Sequence, residues 1–216
     1  MAVANGAGPG ATRYGVARET EARETVCPVS ADDRHPSGWG PTTYGDPCAE
    51  CRFSWSADLD DSVSLVSKIP TTYTRMLQGA SGSERPDPSA WTTTAYVSHV
   101  GDNLRIWAER LAGIVRGGSP DVGGYDQDAL AAARGYASIS LPSALWSLSR
   151  SVDDWLEVVA EARPLRPVLV HPERGPQSLV EVVRSNAHDA FHHQWDIQRA
   201  LDGAQAVDGS QRSGRS

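Results

Sequence analysis

Apolar residues recur at steps of three and four along four separate stretches of the chain, the spacing that lines one face of an α-helix. From Asp58 to Leu77 the stripe is Leu59, Val63, Val66, Tyr73 and Leu77, with Pro70 taking one slot. A proline inside a helix removes a backbone donor, so this first helix is expected to kink or break there. The second spans Ala90 to Val115 on Val97, Val100, Leu104, Trp107, Leu111 and Ile114, with Ser89 as its cap and Gly117-Gly118 as its stop. The third covers Pro142 to Glu161 on Leu145, Leu148, Val152, Trp155 and Val159, and Pro164 ends it. The fourth covers Ser178 to Leu201 on Val180, Val183, Ala187, Ala190, Ile197 and Leu201. Ser178 and Glu181 stand at capping-box spacing at its start.

Between the second and third helices lies a polar, glycine-containing loop in which Asp126–Ala133 predicts a short helix. The segment PLRPVLVHPERGP carries four prolines and reads as an extended connection. Four amphipathic helices with little strand signal predict an all-α fold, a four-helix bundle over residues 58–202. The two ends differ from this middle. Residues 1–26 lack periodicity and residues 203–216 are rich in glycine and serine, so both predict flexible or disordered tails. Residues 27–57 form an extension that contains all three cysteines.

Composition narrows the functional classes. The net charge of −7 and the absence of a basic patch argue against nucleic acid. There is no apolar run of membrane-spanning length and no signal-peptide core, so the expected location is cytoplasmic. The expected partner is a small-molecule substrate, with a homodimer left open. An odd number of cysteines speaks against a disulfide framework. HPSGWG is too short and isolated for a phosphate loop.

Histidine spacing supplies the candidate chemistry. His188 and His192 lie four apart and project from one face of the fourth helix, as two ligands of one ion require. His193 points about 140° away from His188 and does not easily share that role. His99 is the sole histidine of the second helix and flanks its core stripe. Three imidazoles would leave coordination positions open for substrate. The plainer reading is that HxxxH occurs by chance on many helices and that His99 is a satisfied, partly buried side chain.

WTTTAYVSHVGDNL, followed some ninety residues later by NAHDAFHHQWDIQRAL, resembles the DinB family of bacterial four-helix proteins, in particular its actinobacterial branch. The resemblance covers about Asp58 to Leu201. It implies ligand roles for His99, His188 and His192 and a divalent metal, usually zinc. It also implies a transferase or isomerase activity, as in maleylpyruvate isomerase-like enzymes, with mycothiol, bacillithiol or glutathione bound as thiolate. Thiol-independent hydrolysis, elimination or cyclisation at the same metal is the alternative, and a non-catalytic metal-binding scaffold is a third.

Helical spacing places Tyr96 and Asn103 on the His99 face as candidate catalytic residues, and Trp195 as a wall of the cofactor pocket. Asp102 or Asp196 is expected to hold a ligand imidazole from behind. Cys48-Ala49-Glu50-Cys51 could share a structural zinc with Cys27 and His35, although the spacing lacks a second tight pair. Reduced cytosolic thiols are the plain alternative, and a reversible disulfide a further one.

Overall fold

A computed structural model describes residues 40–213, with side chains to residue 204. Its elements are α1 (Pro41–Tyr44), α2 (Leu59–Met76), α3 (Thr93–Val115), α4 (Gln127–Arg134), α5 (Leu141–Ala162), the strands β1 (Val168–His171) and β2 (Gly175–Ser178), and α6 (Leu179–Ser213). The four long helices α2, α3, α5 and α6 form the expected bundle. Its neighbours do not follow chain order: α2 and α3 each pack against both α5 and α6.

Most ends follow local chemistry. Asp58, Ser140 and Asp126 cap α2, α5 and α4 through side-chain oxygens. Glu181 accepts the Ser178 backbone N–H at 2.7 Å, which completes the capping box of α6. The start of α3 differs from the expected one. Asp87 takes the Ser89 and Ala90 amides at 2.9 and 3.1 Å and holds that stretch in a turn, so Thr92 caps the helix instead.

Three further features depart from the sequence reading. α2 runs unbroken through Pro70. Val66, Ile69 and Tyr73, buried on either side of the proline, hold the helix although one backbone bond is lost. The proline-rich connection is a short antiparallel hairpin, with Val168 opposite Ser178 and His171 opposite Gly175. The Val122 amide bonds the Val170 carbonyl at 3.0 Å, tying the α3–α4 loop to this hairpin. Finally, α6 continues to Ser213 rather than ending near Leu201. Alanine and glutamine between residues 204 and 206 are good helix formers and carry it past Gly203.

The core is one cluster that runs from the bundle into the segment before it, where Cys48, Cys51, Phe53 and Trp55 are buried. Tyr73 on α2 is fully buried and its hydroxyl donates to the Ala190 carbonyl of α6 at 2.6 Å. Trp155 on α5 donates through Nε1 to Asn186 Oδ1 on α6 at 3.0 Å. Both bonds lie within a turn of the histidines of α6 and fix that helix. Among the described residues no helix is long and apolar enough to cross a membrane.

Candidate metal centre

The structure sorts the histidines of α6 into two groups. His188 and His192 face Cys48 and Cys51, whereas His99 comes together with Asp189 and His193. The expected donors His99, His188 and His192 thus fall into two different groups. Helical geometry explains the split: residues four apart share a face, and 189/193 is the face one residue further round than 188/192. His193 points away from His188 and toward His99, with ring centroids 4.8 Å apart.

In the second group, Asp189 Oδ1 lies 3.6 Å from His99 Nε2 and 3.7 Å from His193 Nε2. Nitrogen and oxygen donors about 2.0–2.1 Å from a shared tetrahedral ion stand about 3.3 Å from each other, so a shift of a few tenths of an ångström closes this triangle on a metal. His99 is buried, and its Nε2 has no hydrogen-bond partner among the described residues. An orphaned buried ring nitrogen aimed at a carboxylate and a second imidazole is what an ion would satisfy. The donor set fits a divalent metal.

The surrounding side chains hold these donors in place. His193 Nδ1 lies 2.9 Å from Asp196 Oδ2, leaving Nε2 to face Asp189. Of the two aspartates expected behind a ligand imidazole, Asp196 takes that place. Asp102 instead accepts from the Tyr136 hydroxyl at 2.8 Å and pairs with Arg134 at 3.1 Å. Asn103 Nδ2 donates to Asp189 Oδ2 at 2.8 Å, and Asn103 Oδ1 accepts from the Tyr125 hydroxyl at 3.2 Å. Burial alone would raise the Asp189 carboxyl. The adjacent His99 and His193, with the Asn103 bond, hold it well below the usual carboxylate range. Burial pulls the His193 imidazole down, but Asp196 and Asp189 outweigh it and raise it.

Other expected site residues are placed as follows. Tyr96 packs on His193 with centroids 5.3 Å apart, and burial pushes its hydroxyl up to about 12. Trp195 lies beside His192 at 5.7 Å and under the Arg199 guanidinium at 4.5 Å. Cys27 and His35 lie outside the described residues. Cys48 and Cys51 are buried thiols, and their donor-bearing neighbours are His188 and His192. Burial, then the neighbouring His192, brings the His188 imidazole down to about 4.

A cleft of about 440 Å³ opens beside both groups, with Asn103, Asp189, His192 and His193 in its wall. The α3–α4 loop and the hairpin complete it with Tyr125, His171 and Arg174, α3 adds Trp107 and Arg110, and Tyr44 closes one side. Burial and the nearby Arg110 bring Arg174 down to about 10, so two cations share this wall. None of the loop and hairpin residues carried a motif; only the fold brings them to the site.

The DinB superfamily profile matches residues 72–197, more than half of the chain and all of the candidate metal ligands His99, Asp189 and His193. This chain belongs to the DinB superfamily. No curated protein matches it. Among solved structures, this DinB chain is similar to YfiT from Bacillus subtilis, which is described as a probable metal-dependent hydrolase with an unusual four-helix bundle topology. The identity is 12%, the match covers 69% of this chain and 87% of YfiT, and the TM-score is 0.56. At that identity the likeness concerns the fold.

Proposed function

We propose that this DinB protein is a metal-dependent enzyme acting on a small molecule, with His99, Asp189 and His193 as ligands. Its co-substrate is a polar low-molecular-weight thiol of the mycothiol kind, and its reaction is S-transfer or isomerisation. The cleft carries this reading. It is polar, borders the ligand triangle, and is lined by Arg110 and Arg174, whose N–H groups suit a hydroxylated thiol. Its volume lies within the range of small-molecule sites. A filled bundle core would instead have favoured a non-catalytic scaffold.

A divalent ion held by His99, Asp189 and His193 would supply Lewis acidity, which would favour the thiolate form of a bound thiol. The protein's own groups bind and orient. Asn103 fixes the Asp189 carboxylate, so its role is positioning rather than proton transfer. Asp196 fixes the His193 ring. Arg110 stacks on Trp107 at 4.5 Å, donates to the Gly123 carbonyl and is held at the cleft wall, where its other N–H groups can donate to a polar tail. Tyr125 reaches Asn103 from the loop above and links cleft to ligand.

A thiol that binds only the folded site stabilises it by mass action, about 2.7 kcal/mol at a hundredfold excess over Kd. Mycothiol should therefore raise the melting temperature of the wild type by about 5–10 °C, and leave His193→Ala unmoved. The likeness to YfiT favours hydrolysis as the second reading. A wild type indifferent to mycothiol, glutathione and bacillithiol, yet active on an ester or amide panel, selects it.

A further inference from the structure

Cys48, Cys51, His188 and His192 form a second donor group that the proposed reaction does not use. All four donor atoms lie within 4.8 Å of one another. Cys48 Sγ is 3.7 Å from His192 Nδ1, close to the sulfur–nitrogen edge of about 3.6 Å expected around tetrahedral zinc. His188 is 2% exposed, and its Nε2 has no hydrogen-bond partner among the described residues. The opposite nitrogen of His192, Nε2, meets Glu50 Oε2 at 3.2 Å, the carboxylate support that metal-bound imidazoles commonly have.

The turn that presents the thiols is also built for convergence. The Arg52 amide bonds the Cys48 carbonyl at 3.0 Å, and the Cys48 amide bonds the Phe53 carbonyl at 2.8 Å. Arg52 takes a φ of 65°, a left-handed conformation uncommon for a residue with a side chain. Two cysteines and two histidines complete a closed four-ligand shell, the type found in structural rather than catalytic zinc sites.

We propose that Cys48, Cys51, His188 and His192 bind a second, structural zinc ion that fastens residues 40–57 to α6. The consequence reaches the cleft. Tyr44, which lines it, packs on His188 and His192 with centroids 4.6 and 5.5 Å away. The zinc thereby holds one wall of the cleft beside Asp189 and His193.

The test is titration of metal-free, full-length protein with Co²⁺, because a thiolate ligand gives a sulfur-to-cobalt charge-transfer band that imidazole and carboxylate ligands do not. The wild type should show this band together with tetrahedral d–d bands, and one equivalent of Zn²⁺ should abolish it. His193→Ala and Cys27→Ser should keep the band, whereas the double variant Cys48→Ser, Cys51→Ser should lose it along with one equivalent of bound zinc. X-ray absorption of zinc-loaded His193→Ala should show two sulfur and two nitrogen neighbours, and needs no cysteine variant that folds. Absence of the band in the wild type, its loss with Cys27→Ser, or a zinc shell without nitrogen would overturn the proposal. Because the band reports thiolate ligation alone, its failure is distinct from failure of the His99–Asp189–His193 site.

Discussion

His193→Ala is expected to lose one equivalent of metal and essentially all metal-dependent turnover, while its far-ultraviolet circular dichroism stays that of the wild type. The substitution removes one corner of the triangle in which Asp189 Oδ1 faces His99 Nε2 and His193 Nε2 at 3.6 and 3.7 Å. Two remaining ligands bind a divalent ion weakly, because a site of this kind needs three protein donors. The helix survives, since α6 is held by Val182, Val183, Ala187, Ala190 and Ile197, all buried. His188→Ala supplies the contrast. Its imidazole belongs to the cysteine group, so the triangle should keep its ion and a thiol-induced thermal shift, reduced only by the loss of the Tyr44 contact. Metal analysis of the two variants with parallel melting curves checks this. If His188→Ala loses the shift and His193→Ala keeps it, the assignment is reversed.

Trp155→Ala should lower stability by about 3–5 kcal/mol, the usual cost of emptying a large aromatic site. At about 2–4 °C per kcal/mol for a chain of this size, the melting temperature falls by about 10 °C. Trp155 is fully buried, and its indole N–H donates to Asn186 Oδ1 at 3.0 Å. The variant therefore leaves both a cavity and an unpaired buried carbonyl. Trp155→Phe keeps most of the volume and loses only the bond, so it should cost markedly less. Thermal or urea unfolding of both variants separates the two effects. Equal losses in the two would mean that the hydrogen bond, not the packing, carries the contribution.

The hydrophobic stripes made the four long helices legible, and the Ser178–Glu181 pair located the start of α6 within a residue. The choice among the histidines was not legible from spacing. The pairs 188/192 and 189/193 share one four-residue step, and which of them meets His99 depends on how α6 is rotated against α3, a matter of packing between distant segments. One local signal did favour the second pair: Asp196 stands three residues after His193, within reach of its ring. Counting histidines alone also hid Asp189, whose carboxylate is as good a ligand as an imidazole. The hairpin escaped because its strands have four residues each, with Pro172 in the turn and Pro176 inside β2 itself. β1 also bonds residues 120 and 122, a contact between distant segments that no local pattern announces.

Anomalous diffraction from crystals grown with Zn²⁺ decides whether the bundle metal rests on His99, Asp189 and His193. The expected result is a peak within bonding distance of His99 Nε2, His193 Nε2 and an Asp189 carboxylate oxygen, facing the cleft. A map without a peak among those three atoms would contradict it, whatever density appears beside the cysteines.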